Sequence, residues 1–174
     1  MRRDATVFAE FAAARSRSLY RAAFLMVGDH ALAEDLLQEA LTKTYVAWRR
    51  LHDTGNAEAY ARKAITTTAI NWWRRRSWHA EKPRGDVPDL TVGDHSDRVS
   101  EHAAMWSELQ ALPPRQRAAI VLRYYEDLSV RETAEAMGCS VGTVKSQVSA
   151  GIEKLRARLG PAAVPMTREL GVGR

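Results

Sequence analysis

Four short polar residues, Thr143, Ser146, Gln147 and Ser149, fall on one side of a segment whose apolar residues Val141, Val144, Val148, Ile152 and Leu155 fall on the other at about 100° per residue. A helix that only seals a core usually turns Glu and Lys to water. This one turns out hydroxyls and an amide, groups that reach base edges and both donate and accept, with Lys145 at the flank for phosphate. Such a face suits the reading of a DNA duplex; the plain alternative is a solvated helical hairpin.

A second cluster, Trp72-Trp73-Arg74-Arg75-Arg76-Ser77-Trp78, closes a helix expected over 57–79. Ala61, Ile65, Thr68, Ala69 and Trp72 take its inner face, and Tyr60, Lys63, Thr67, Asn71 and Arg74 its outer face. Rings on which bases stack, beside guanidinium groups that hold phosphates, suit single-stranded or partly melted nucleic acid. The alternative is tryptophans in a core and arginines at a solvated helix end, where the dipole favours cations. A third face comes from a helix expected over 31–50. Ala33, Leu37, Ala40, Leu41, Thr44 and Trp48 form its buried stripe, leaving Asp35, Gln38, Glu39 and Thr42 outside. An acidic face on a basic chain is often only solvated, but beside two nucleic-acid faces it suggests a basic protein partner.

Catalytic chemistry has no such footing. His30, His52, His79, His95 and His102 are scattered, with no HExxH pair, glycine-rich phosphate loop or nucleophile motif, so no enzyme, metal site or cofactor is expected. Cys139, the sole cysteine, cannot form an internal disulfide, and it sits in a turn where a small, partly buried residue is needed. A reducing, cytoplasmic setting fits. No apolar run reaches signal-peptide or membrane-span length, so no membrane insertion is expected.

The elements that must position these faces are also written locally. Ser129 followed by Glu132 forms a capping box, Gly138 ends that helix, and Ser140 caps the next. With the small Ala134 at the crossing, this is a helix-turn-helix unit. The 174 residues carry 26 Lys and Arg against 21 Asp and Glu, net +5, which favours a polyanionic partner. The charge is divided. Residues 1–80 hold thirteen basic and eight acidic groups, 81–100 three and five, and 101–174 ten and eight.

Residues 81–98, with Pro83, Gly85, Pro88, Gly93 and four aspartates, read as a flexible acidic linker. Apolar spacings of three and four residues elsewhere predict an all-α chain of two small helical domains, 1–80 and 99–160, followed by a tail, 161–174. Helices are expected over 4–27, 31–50 and 57–79, the last capped by Asn56, and over 99–111, 114–126, 130–137 and 141–159.

These motifs, in this order, resemble the extracytoplasmic-function (ECF) sigma factors of bacterial RNA polymerase, with the wording of an actinobacterial subgroup, over nearly all of residues 5–159. Ala33-Glu34-Asp35-Leu36-Leu37-Gln38-Glu39-Ala40 is similar to the polymerase-binding motif of sigma region 2, and Trp72 to Arg76 to the end of its melting and minus-ten helix. Leu112 to Leu155 is similar to region 4, which docks on the polymerase flap and reads the minus-thirty-five element. The resemblance implies a region 2 helical bundle and a region 4 helix-turn-helix. Asp35, Gln38 and Glu39 would then bind core polymerase, and Tyr60, Lys63, Thr67, Asn71, Trp73, Arg74, Arg75 and Arg76 the promoter around the minus-ten element. Arg131, Thr143, Lys145, Ser146, Gln147 and Ser149 would bind the upstream duplex. The implied partners are core RNA polymerase and promoter DNA, duplex and melted, with an anti-sigma factor left open. Gln147 and Ala150 stand where relatives often carry Arg, and Thr66-Thr67-Thr68 where many have an Asn-containing segment, so base preference should differ.

Two other readings compete: a ligand- or phosphorylation-gated helix-turn-helix regulator, and a helical RNA-binding protein. Residues 1–80 offer no clear dimer interface, sensing pocket or phosphoacceptor site for the first. Duplex promoter DNA against RNA discriminates the second.

Overall fold

The structure, a computed structural model, describes residues 2–51, 54–76 and 96–161. Every regular element among them is a helix: α1 (Arg2–Val27), α2 (His30–Ala47) with a 3₁₀ turn (Trp48–Arg50), α3 (Thr54–Arg76), α4 (Ser96–Ala111), α5 (Pro114–Ile120) running into a π-helical turn (Val121–Tyr125), α6 (Val130–Met137) and α7 (Val141–Leu159). None is long and apolar enough to cross a membrane. The all-α expectation holds.

Helices α1 to α3 pack against one another. Alanines Ala23, Ala33, Ala40, Ala57, Ala61 and Ala69 are all buried, so the backbones approach closely around Leu19, Leu36 and Ile65. At one end Phe8 meets Tyr45 and Trp48 edge-on, at 4.9 and 5.1 Å between centroids. The α1–α2 break is made by Gly28, at φ +70°, and by Asp29, whose carboxylate accepts from Leu32 N at 2.8 Å. Helices α4 to α7 pack around Leu109, Ile120, Leu122, Val144 and Leu155, which form one continuous apolar cluster with the core of α1 to α3.

Several boundaries differ from the sequence reading. Helix α3 begins at Thr54, so Asn56 lies inside its first turn and is not its cap. Helix α4 begins at Ser96, within the stretch read as linker; 81–95, the tail from 162, and Trp78 lie outside the described residues. The helix expected over 114–126 changes pitch at Val121, where Glu126 N reaches back five residues to Val121 O at 3.1 Å. Asp127 then turns the chain at φ +50°, Leu128 N bonds Leu122 O at 3.0 Å, and the Arg123 guanidinium caps the Leu128 carbonyl. That turn delivers the chain to the start of α6.

Helix α3 buries two stripes. Ala61, Ile65 and Ala69 face α1 and α2, as expected, but Arg62, Thr66, Ile70 and Trp73 form a second stripe one position on. Its two ends contact the second set of helices: Arg62 Nε donates to Glu126 at 3.1 Å, and Trp73 lies beneath Arg117. The two sets of helices therefore meet along a seam in which α3 packs on α5 and α6.

Candidate nucleic-acid and protein interfaces

The helix-turn-helix is fixed by local hydrogen bonds. Ser129 Oγ accepts from Glu132 N at 3.2 Å while Glu132 Oε2 accepts from Ser129 N at 2.8 Å, so two orphan donors of α6 are met reciprocally. The bonds from Ser129 hold the Glu132 carboxyl below the usual carboxylate range. Gly138, at φ +62°, closes α6, and Cys139 N bonds Ala134 O at 3.0 Å. Ser140 Oγ accepts from Thr143 N at 3.1 Å and starts α7. Burial raises the Cys139 thiol pKa, so it is a packing group rather than a ready thiolate.

Helix α7 then presents its outer face. Lys145, Ser146 and Ser149 are exposed and Thr143 and Gln147 half-buried. The Thr143 hydroxyl lies 2.9 Å from Ser140 Oγ, and Ser146 Oγ donates to Thr143 O at 2.9 Å, so both hydroxyls are held close to the helix. Arg131, on α6, is exposed beside Glu135 at 3.5 Å. The inner face departs from expectation at one end. Val144 and Leu155 are buried, but Val141, in the first turn, is 42% exposed. One close approach was also not anticipated: a Cβ on Gly151 would stand 3.1 Å from Ile120 Cγ1, so glycine lets α5 lie against α7.

On α2, Asp35, Gln38 and Glu39 are exposed together, and Thr42 and Val46 extend the same side, Val46 at 75% exposure. Glu39 pairs with Lys43 at 2.5 Å and lies 3.5 Å from Thr68 Oγ1. The face is thus acidic at one end and apolar at the other.

On α3, Tyr60, Lys63, Asn71, Arg74 and Arg75 are exposed, Thr67 is half-buried with its hydroxyl donating to Lys63 O at 2.8 Å, and Arg76 ends the helix. Trp72 and Trp73 are half-buried and meet edge-on at 4.9 Å. Trp73 Nε1 donates to Met26 O at 3.3 Å, and its ring lies 4.8 Å from the Arg117 guanidinium carbon. One of the two rings expected to meet a melted strand therefore lies in the seam. Nearby, Arg62 bonds both Glu58, at 2.7 Å, and Glu126, and Arg15 joins Glu58 at 3.1 Å. Beside this network a cleft of about 380 Å³ opens between Tyr60 and Lys63 of α3 and Glu132 and Glu135 of α6.

What the sequence reading missed is this second stripe of α3 and its cover. Its signal was present as Thr66, Ile70 and Trp73 at helical spacing, with Arg62 one turn earlier, but a helix inside a three-helix bundle gives no local reason to look for one.

A helix-turn-helix with an exposed polar outer face, joined to a bundle with one acidic and one basic-aromatic face, defines a DNA-reading protein built to hold a second macromolecule. The family described as Sigma-70 region 2 matches residues 11–79, and that described as Sigma-70, region 4, matches residues 102–155. An RNA polymerase sigma-E factor from Streptomyces avermitilis is 39% identical over 152 residues, 87% of this chain and 84% of that protein. The sigma-E factor of Streptomyces coelicolor is 38% identical over the same length, 87% of this chain and 85% of its own. The ECF sigma factor SigE of Mycolicibacterium smegmatis is 29% identical over 79% of this chain and 56% of its own. Among solved structures, the sigma factor RpoE bound to the anti-sigma factor NepR from Bartonella quintana matches with a TM-score of 0.69, at 22% identity, covering 88% of this chain and 97% of that one. The chain belongs to the ECF family of RNA polymerase sigma factors.

Proposed function

We propose that this alternative sigma factor divides promoter-specific initiation among three faces, working in the cytoplasm. The α2 face of Asp35, Gln38 and Glu39 docks on a basic surface of core RNA polymerase. The end of α3, with Tyr60, Lys63, Thr67, Asn71, Trp73, Arg74, Arg75 and Arg76, holds the minus-ten element as it melts, rings stacking on bases and cations holding the strand. The α7 face reads the upstream duplex through Gln147, Thr143, Ser146 and Ser149, with Lys145 and Arg131 on phosphates. Val141 joins that set as an exposed apolar group at the start of the reading helix, suited to a thymine methyl.

The observation that carries the reading is the exposed acidic face of α2 on a chain of net charge +5. DNA repels that face, so its partner is a protein, and a gated regulator that only reads duplex DNA has no use for it. Charge pairs at such an interface chiefly set rate and specificity, and close ones are worth about 1.5 kcal/mol or more. The test is reconstitution of transcription with core polymerase and no other sigma factor on a library of promoter fragments. Initiation from a defined subset with paired upstream and minus-ten elements is expected. Duplex binding without core association sinks the reading in favour of the gated regulator.

A further inference from the structure

The seam contains a device that the three faces do not explain. Helix α1 ends at Val27, and a helix end leaves its last carbonyls without partners inside the helix. Gly28 N takes the Phe24 carbonyl at 2.8 Å. The next two are met from the far side of the chain: Gln110 Nε2 donates to Leu25 O at 2.9 Å, and Arg117 Nη1 donates to Met26 O at 2.9 Å. Leu25 and Met26 are buried, so without these donors the Leu25 carbonyl is orphaned and the Met26 carbonyl keeps only the longer 3.3 Å bond from Trp73 Nε1.

Arg117 is only 2% exposed. It also donates to Gln110 Oε1 at 2.8 Å, to Gln110 O at 2.7 Å and to Leu112 O at 3.0 Å, which anchors it in the α4–α5 turn. Its cation meets the negative end of the α1 dipole and covers the ring of Trp73, whose own N–H shares the Met26 carbonyl. Trp106 of α4 stacks on Phe24 at 5.1 Å, with 8° between the planes, and extends the contact. A side chain at Gly28 would push the Gln110 amide aside, since a Cβ there would stand 2.5 Å from Gln110 Oε1, and φ +70° strains one in any case.

We propose that Arg117 and Gln110 are an intramolecular clasp: by capping the end of α1 from the second domain they hold the two domains closed and withhold the Trp73 ring from DNA until core polymerase draws the domains apart. The gating half rests on the reading of Trp73 as a strand-binding residue; the clasp itself does not. Arg117 is a positioning residue in this scheme, because it holds another residue away from its ligand.

The test is distance measurement by pulsed electron paramagnetic resonance on the full chain, with Cys139→Ser and spin labels at Arg21→Cys on α1 and Lys154→Cys on α7, both exposed positions. A single short distance is expected for the parent. Arg117→Met, which keeps the length and removes the donors and charge, should lose that peak to a broad, longer distribution, and Gln110→Leu should lose part of it. Far-UV circular dichroism checks that the helices survive, and if Arg117→Met fails to fold, Gln110→Leu decides. A role confined to the α4–α5 turn would lower the melting temperature and leave the distance unchanged; that result overturns the clasp. Adding core polymerase to the labelled parent should lengthen the distance. A short distance retained in a transcribing complex overturns the gating. If the domains open as described but Trp73→Ala leaves permanganate reactivity of promoter thymines intact, the strand-binding role of Trp73 fails and the clasp stands.

Discussion

The two helices proposed to meet DNA, α7 and α3, both expose polar groups, but only α3 carries one of its proposed DNA-contacting rings under cover from the other half of the chain. The outer face of α7 carries Ser146, Ser149 and Lys145 in the open, whereas the end of α3 keeps Trp73 half-buried under a cation from the other half of the chain. Their chemistry explains the difference. A duplex is read by short hydrogen-bonding groups that water satisfies when DNA is absent, so such a face can wait exposed. A melted strand is held by flat apolar rings, and leaving one in water forgoes the roughly 1.5–3 kcal/mol that burying a large apolar side chain supplies. That gives a physical reason for Trp73 to be covered at rest, while Tyr60, whose hydroxyl water can satisfy, stays exposed.

The contrast can be broken first at the docking face, which neither DNA helix uses. Reversal of Asp35 and Glu39 to Lys should abolish binding to core polymerase, read by gel filtration or fluorescence titration, with helicity and melting temperature nearly unchanged because both side chains are exposed. Unaltered affinity sinks the assignment. Next comes the duplex-reading side: Gln147→Ala should cost about 1–3 kcal/mol on the cognate upstream element and relax one base position, whereas Lys145→Ala should weaken all sequences alike and flatten the salt dependence. Selection from a randomised duplex library at two salt concentrations separates them. If Gln147→Ala leaves the selected motif unchanged, Thr143, Ser146 and Val141 are the readers.

A smaller effect sharpens how the reading helix is mounted. Gly151→Val should destabilise the fold by about 1–3 kcal/mol in urea, since the added methyls meet Ile120. The smallest concerns the capping box. Ser129→Ala should cost about 1 kcal/mol. Because the folded-state pKa of Glu132 is depressed, its contribution is present above the unfolded carboxyl pKa and is lost as pH falls through the folded one. Acid titration of the melting temperature should therefore show a weaker fall in Ser129→Ala than in the parent.

How much was legible follows from what each feature depends on. The caps of α6 and α7 depend on residues three apart, Ser129 with Glu132 and Ser140 with Thr143, and both were read correctly from the sequence. So were the exposed side of α2 and, on α3, Tyr60, Lys63, Asn71 and Arg74, because a period of 3.6 residues sorts a helix against one core, whereas Thr67 and the second stripe of α3 were not. Val141 was misread because periodicity says which side a residue takes and not how fully that side is covered. The π turn at Val121–Tyr125 was missed because its helical pattern of apolar residues continues through the change of pitch. The seam was out of reach altogether. Met26 and Arg117 are 91 positions apart, and no local pattern announces that a guanidinium will find a particular carbonyl.

The exposed side of α7 has an evolutionary consequence. Lys145, Ser146 and Ser149 are exposed, and the helix is secured instead by Ser140 at its start and by Val144, Gly151 and Leu155 within. Substitutions at exposed positions of this kind usually shift stability by no more than about 0.5 kcal/mol. With this face as the proposed reader, a lineage can change which upstream sequence is recognised while leaving the fold alone, and duplicated copies of such a gene are free to diverge in the promoters they serve before they diverge in shape.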